Sequence, residues 1–584
     1  MELLNCQIVK LLREAGVQGE IVFTAPPKPE MGDLAFACFG LAKEWKMNPA
    51  EAAKKMESGI RNKELGVIEE VVAVGPYVNF FINAQWLARL VLAGVETQNF
   101  ASVHLKPGKG KKIMVEFAHP NTHKPVHIGH LRNMITGDSL ARILENQGHK
   151  VVRANYQGDV GMHIAKCLWG MSQIENVKIK MKNLVTIGEK AKFLGEAYAI
   201  GGQAFEKDAA AKKEIEALNN KIYNKDKSVW GLYKKTRKWS LDYFNYIYKK
   251  VGVKKFNRLY FESETFESGK RIVLAGLKKG IFKENQGAII FEGSKYGLHD
   301  RVFISGKGLP TYEAKDQGLA ALQFKEYHPN FIYHVVGKEQ TDYFKVVFKA
   351  LEFTLPESKD KEKHLVYGWV SLKEGKMSSR TGNVVLAEWL LDEVEKRIME
   401  IMRDRETRLP APAGEANGGQ VRDREEIIRT VALAAVKYSM LKTGISNDIV
   451  FDFNESVSLS GDSGPYLLYI VARINSILRK SKVRKVFKVH KVSAESVVAE
   501  ERKLLLDLAR FDEVAREAGE EKDPSVIAKY LFGLAQAFNN FYQSCPVLDA
   551  EPAAQVFRLR LIKKVKEVME SGLVLLGIET VEEM

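Results

Sequence analysis

The sequence predicts a multidomain α/β protein, in which a nucleotide-binding domain on a parallel sheet lies between a small α/β domain and an all-helical one. Three observations carry that expectation. At 584 residues the chain exceeds what one ordinary hydrophobic core organises, so three or four domains are expected. Residues 113–117, the amphipathic run through Leu131, Ile135, Leu140 and Leu144, and residues 151–156 read as strand, helix, strand, the repeating unit of a parallel sheet. Past residue 424 apolar positions recur at helical spacing almost to the end.

In order, residues 1–105 read as the first domain. Leu3, Leu4, Ile8, Leu11 and Leu12 mark an amphipathic helix, and residues 21–23 a strand before Pro26, Pro27 and Pro29. Helices are expected over 34–45 and 49–60, and strands over 71–74 and 77–82. A basic linker, 107–112, leads into a domain assigned to 106–404. Its second strand closes at Gly158 and Asp159, on the carboxyl edge where such sheets bind ligands. Residues 166–250 break the alternation. They are rich in lysine (Lys178, Lys180, Lys182, Lys190, Lys192) and, at the far end, in aromatics (Trp230, Tyr233, Trp239, Tyr243, Phe244). They read as a helical insertion, either a bundle with solvated lysines or an arm that touches RNA. Strands resume over 288–291 and 302–304, a helix begins at Thr311, and 331–336 reads as a buried strand. Pro410, Pro412, Gly418 and Gly419 mark a linker over 405–424. The last domain, 425–584, is expected to be helical over 427–441, 466–480, 500–518, 528–541 and 555–572.

Composition narrows the function. An apolar share of 45% with 28% charged residues describes a globular chain, and no run approaches 18 apolar residues. The start of the chain lacks a signal-peptide layout, so a cytoplasmic protein without a membrane partner is expected. Cys6, Cys38, Cys167 and Cys545 are scattered, which argues against a disulfide framework, a cysteine zinc site and thiol redox chemistry. A net charge of +15 favours a polyanionic partner, because basic surface gains affinity by displacing counterions from phosphates.

Two motifs add chemistry. His127-Ile128-Gly129-His130 follows the strand at 113–117 and opens the helix, so it stands at a helix N-terminus, where free N–H groups and the dipole attract phosphate. The imidazoles can donate to phosphate oxygens, and Gly129 leaves room for a flat purine. Lys376-Met377-Ser378-Ser379-Arg380, flanked by Gly375 and Gly382, reads as a cationic loop for a triphosphate. The spacing of His119, His123, His127 and His130 would suggest a metal site on a helix. Pro120 and Pro125 interrupt that helix, so no metal site is expected. Tyr312 and Asp316, four apart, share a helix face. There a carboxylate could take a guanidinium fork while the ring stacks on its plane.

Together these segments resemble the HIGH and KMSKS signatures of class I aminoacyl-tRNA synthetases, and more narrowly the arginyl-tRNA synthetases. Residues 115–121 running into 124–133 look like that family's extended first motif. Tyr312 through Asp316 resembles its Y-x-x-x-D segment, and 451–452, 464–469 and 558–578 resemble its C-terminal domain. Gly32 through Ala35 and Gly75 through Asn79 resemble its added N-terminal domain. The 166–250 insertion matches poorly. Arg380 replaces the second lysine of KMSKS, and Lys124, three residues before His127, stands where arginyl enzymes place a substitute. His119 and His123 also depart from the small residues usual there.

The resemblance implies a Rossmann-like class I catalytic domain with a helical insertion, an N-terminal domain that touches the tRNA elbow, and a helical anticodon-binding domain. It implies ATP as substrate, with Mg²⁺ carried by the nucleotide and no zinc. L-arginine and tRNA(Arg) are the implied partners of a monomer whose arginine activation requires tRNA. His127, His130, Lys124 and Lys376 would be catalytic. His127, Gly129, His130, Lys376, Met377, Ser378, Ser379 and Arg380 would bind ATP. Glu116, Glu262, Tyr312 and Asp316 would hold the arginine side chain, and Asn121 and Gln340 its amino group. The rivals are another class I synthetase or a small nucleotidyltransferase of the superfamily, and an RNA-binding paralogue without catalysis. The helical C-terminal domain and the intact His127–His130 pair speak against the last two.

Overall fold

The computed structural model describes residues 2–24, 26–61, 63, 65–92, 110–373, 385–406, 418–481 and 497–584. In the first domain, helix α1 (Glu2–Glu14), β1 (Phe23–Thr24), β2 (Leu34–Ala37), α2 (Phe39–Trp45), α3 (Pro49–Arg61), β3 (Ile68–Val74), β4 (Tyr77–Ile82) and α4 (Ala84–Leu92) follow in turn. Its strands form an antiparallel sheet in the order β1-β2-β4-β3. The helix expected over 34–45 is corrected here. Residues 34–37 pair along both edges, Leu34 with Phe80 and Phe36 with Phe23, and the helix begins only at Phe39. Two ladders outweigh the local helical periodicity, because they bury Ala35 and Phe36 in the sheet.

The second domain alternates strand and helix: β5 (Lys112–Glu116), α5 (Ile128–Asn146), β6 (Lys150–Gln157), then the insertion α6 (Met162–Ser172), α7 (Val177–Asn183), α8 (Ile187–Lys207), α9 (Ala209–Tyr223) and α10 (Lys227–Val251). After it come β7 (Arg258–Phe261), α11 (Glu262–Lys278), β8 (Lys283–Asn285), β9 (Ala288–Phe291), β10 (Arg301–Ile304), α12 (Tyr312–Tyr327), β11 (Phe331–Gly337), α13 (Thr341–Thr354), β12 (Glu362–Tyr367) and β13 (Val370–Leu372). The central sheet runs β12-β11-β5-β6-β7, all parallel. The chain leaves β5 toward β6 on one side and later returns to place β11 on the other. This reversal opens a crevice at the carboxyl ends of β5 and β11. The insertion carries its own core, with Ile164, Cys167, Leu194, Ile215 and Trp239 buried together. Its aromatic stretch is therefore largely interior, and Lys178, Lys180 and Lys182 are exposed on α7.

The remainder is helical: α14 (Ala387–Glu406), α15 (Gly418–Leu441), β14 (Ile449–Phe451), α16 (Phe453–Ser456), α17 (Gly464–Lys480), α18 (Ala499–Ala509), α19 (Phe511–Glu521), α20 (Ser525–Ser544) and α21 (Pro552–Leu575). The single helix expected over 500–518 is two, broken at Arg510. The bend turns α19 onto α5, where Gln147 Nε2 donates to the Arg516 carbonyl at 2.8 Å. One strand interrupts the expected all-helical run, since β14 pairs in parallel with β13 of the second domain. A continuous apolar core joins the first domain, α5 and the C-terminal helices. The first domain is also clamped to the helical one by Arg502, whose guanidinium lies 2.5 Å from the Asp33 carboxylate.

Candidate active site

A cleft of about 600 Å³ occupies the crevice at the strand ends. Glu116 at the end of β5, Asn121 on the following loop, and His127 and His130 at the start of α5 line it. So do Glu262, Tyr312, Asp316 and Gln340, which enter from the other half of the domain. Eight sequence-predicted residues, separated by as many as 224 positions, thus share one cavity.

The histidine pair is fixed by the helix it opens. His127 caps α5 in extended conformation, and its Nδ1 accepts the Gly129 N–H at 3.1 Å. His130 Nδ1 accepts the His127 N–H at 3.3 Å. A backbone N–H can only donate, so each Nδ1 is bare and each Nε2 carries the proton. Burial, reinforced by the Lys124 ammonium, lowers the pKa of His127, and burial with the neighbouring His127 ring lowers that of His130 well below its ordinary value. Both rings are therefore neutral Nε2–H donors at pH 7, at the positive end of a 19-residue helix. Lys124 stands beside them, with its ammonium 5.2 Å from the Tyr198 ring of the insertion.

At the other end of the cleft the Asp316 carboxylate accepts the Tyr343 hydroxyl at 2.7 Å. Burial pushes its pKa up to about 7, against the hydrogen bond from Tyr343. Glu262 is paired with Lys315 at 2.6 Å, both side chains buried, so its charge is already met. Tyr312 is more than half exposed at the rim, with the Lys315 ammonium 4.8 Å from its ring. Glu116 accepts from Gln323 and from His334, and His334, foremost among the groups that outweigh burial, holds the carboxyl below its usual pKa. Of the three predicted acids, Asp316 alone lacks a charged protein partner among these contacts.

Several residues that hold this geometry were not among the predicted site residues. Asn133 accepts the Ala118 N–H at 2.5 Å and donates to the Val335 carbonyl at 2.6 Å, tying the ends of β5 and β11 together through α5. Arg132, buried one position earlier, donates to the carbonyls of Gly368, Trp369, Ile445 and Asn447. Asp159 is bound by Arg237 of α10 and by both the amide and hydroxyl of Ser263, which anchors the insertion to the start of α11. His123 turns away from the cleft. Its Nε2 meets Thr236 of α10 at 2.7 Å and its Nδ1 meets Thr122 at 3.1 Å, while burial drops its pKa to about 3. The only advance signals were a polar residue within an apolar run and a histidine where small residues are usual. Lys376, Met377, Ser378, Ser379 and Arg380 lie outside the described residues. Among those described, no group of three His, Cys, Asp or Glu side chains has metal-binding geometry.

Comparison with known proteins agrees across the chain. The family described as "tRNA synthetases class I (R), catalytic domain" matches residues 96–453, "DALR anticodon binding domain" matches 467–584, and "Arginyl tRNA synthetase N terminal domain" matches 2–82. The chain is 35% identical to the arginine–tRNA ligase of Treponema denticola, over 97% of this chain and 95% of that protein. It is 33% identical to that of Bdellovibrio bacteriovorus, over 96% and 93%. The arginyl-tRNA synthetase of Thermus thermophilus superposes with a TM-score of 0.79 at 27% identity, covering all of both chains. That of Plasmodium falciparum, at 19% identity and a TM-score of 0.76, shares the fold over 100% of this chain and 98% of its own.

Proposed function

The chain belongs to the arginyl-tRNA synthetase family, and from that premise we propose that the cleft at the ends of β5 and β11 is where arginine is activated. The enzyme is an arginine–tRNA ligase. It joins L-arginine and ATP into arginyl-adenylate, then passes the arginyl group to the terminal adenosine of tRNA(Arg).

One observation carries the placement of the site: a single cleft holds two Nε2–H donors at a helix N-terminus and, across it, a carboxylate bonded by a tyrosine hydroxyl, with no ion pair among the described residues. The first suits the phosphates of ATP and the second a guanidinium. In this reading Asp316 takes the guanidinium fork, Tyr312 covers it from the rim, Glu116 adds a second carboxylate, and Asn121 and Gln340 hold the amino group. Glu262 acts through Lys315 and shapes the pocket.

The arginine carboxylate attacks the α-phosphorus of ATP, forming the C–O–P link as the bond to pyrophosphate breaks. The nucleophile is already ionised, so no general base is required. The chain's contribution is positioning and charge: Nε2–H of His127 and His130, with the ammonium groups of Lys124 and Lys376, face the negative charge that redistributes. Gly129, Met377, Ser378, Ser379 and Arg380 complete the nucleotide site, and Mg²⁺ arrives with the nucleotide. A hydroxyl of the terminal adenosine then attacks the anhydride carbonyl and AMP leaves. The reading also takes the enzyme as cytoplasmic and monomeric, with activation dependent on tRNA.

ATP–pyrophosphate exchange, run with each amino acid and with or without tRNA, tests this. Arginine alone should support exchange, and only with tRNA present. Comparable exchange with any other amino acid would overturn the site assignment, and robust exchange without tRNA would remove the dependence.

A further inference from the structure

Resting on the reading of this cleft as the arginine site, we infer that His334 is a specificity-positioning residue, an imidazolium clamped between Glu116 and Glu362 that keeps Glu116 ionised and aimed at the bound guanidinium. His334 is a single histidine in an otherwise apolar, buried strand, β11. Its backbone is in register with Glu116 on β5 and with His364 on β12, and Glu362, two residues before His364, presents its side chain on the same face. The Nδ1 lies 3.0 Å from Glu116 Oε1 and the Nε2 lies 2.6 Å from Glu362 Oε2. All three side chains are buried. The rings of Phe344 and Phe348 flank the imidazole at 5.4 and 5.5 Å.

Two carboxylates can satisfy both ring nitrogens of one histidine only if the ring donates from each, and that requires the imidazolium. Burial opposes the charge. Glu116 above all, then Glu362, outweigh it and hold the ring's pKa above its ordinary value. Every charged group packed around His334 then has a role. Glu116 and Glu362 are its acceptors, and Asp316 of α12 adds negative potential from across the cleft. His119 and His364 have pKa values lowered by burial, so they do not compete for the proton. Without the imidazolium, Glu116, Glu362 and Asp316 would be three carboxylates lining one cleft with that counter-charge removed. Like charges at that range force a proton onto one of them. Glu116 would lose the charge that the guanidinium needs.

The test is arginine-dependent exchange by the full-length enzyme, with tRNA, across pH 6 to 9. His334→Gln keeps a donor toward Glu116 and removes the charge. We expect its KM for arginine at pH 7 to rise by about tenfold, with kcat within about twofold and KM returning toward the wild-type value near pH 9. Glu362→Gln should raise KM in the same direction by a smaller factor, and it serves as the second variant should the first fail to fold. Nitrogen chemical shifts of the His334 ring should show both nitrogens protonated at pH 8. A folded His334→Gln enzyme with wild-type KM and pH profile, a variant that loses kcat and melting temperature with KM unchanged, or a neutral ring at pH 8 would each overturn the inference. Exchange by the wild-type enzyme is a separate readout: if arginine does not support it, the reading of the cleft fails whatever the state of His334.

Discussion

At the scale of single residues, the titration of Asp316 ought to govern arginine affinity. Burial raises its carboxyl to a pKa of about 7, and only the ionised form offers a guanidinium two acceptors. The KM for arginine should therefore fall as pH rises from 6 to 8, and a flat profile over that window would remove Asp316 from the role. Because burial raises this carboxyl from an ordinary 3.8, the folded state holds the proton more tightly than the unfolded state does. The associated stability is present below about pH 4 and is lost as pH climbs through 7. Asp316→Asn should thus raise the melting temperature at pH 7.5 while raising the KM for arginine on the order of 100-fold or more, with ATP affinity little changed. Lys124→Ala is expected to slow adenylate formation by about 2–4 kcal/mol in barrier while leaving arginine binding nearly intact. Single-turnover rates that match wild type would reassign the charge to Arg380.

At the scale of elements, the cleft depends on how the ends of β5, β6 and α5 meet. A Cβ built on Gly158 would lie 2.0 Å from Asn121 Oδ1, and the two residues are bridged across the strand ends. Gly158→Ala should accordingly displace Asn121 and weaken arginine binding more than ATP binding, which separate KM measurements can distinguish. Arg132 of α5 presents a different case. It satisfies four carbonyls from two segments, so Arg132→Met leaves buried acceptors unpaired at about 1–3 kcal/mol each before any relaxation. Thermal unfolding should show a drop of several degrees. Periodicity found α5, β6 and β11 because each is long and uniformly patterned. It misjudged residues 34–37 and the break at Arg510, where a pairing partner and a docking surface decided the outcome.

Across the whole molecule, the first domain and the helical domain are held together by a shared apolar core and by the Asp33–Arg502 ion pair. The net charge of +15 belongs to the chain as a whole and favours a polyanionic partner such as tRNA. Affinity for tRNA should decline with salt, the slope of log K against log salt being about −0.7 to −0.9 per phosphate contact. A chain lacking residues 1–105 should bind tRNA more weakly while retaining ATP binding, and unchanged tRNA affinity would exclude that domain from recognition. Strand β14 pairs with β13, so helices and sheet domain also share a ladder. That pairing was invisible in a segment whose neighbours all read helical, because three residues carry too little period to register.

The sequence by itself determined the domain order, the parallel sheet and the chemistry brought to the cleft. Those properties depend on local patterning and on short motifs whose residue types suit phosphate and guanidinium. Tertiary structure alone decided which of those groups remain available. Glu262 and Glu116 look equivalent to Asp316 as acids in the sequence, yet folding gives the first a lysine, the second a histidine and a glutamine, and the third a tyrosine hydroxyl. The partner of a buried charge comes from a strand or helix tens or hundreds of residues away, and periodicity carries no record of it. Those pairings set each acid's behaviour, since a buried ion responds to what stands next to it.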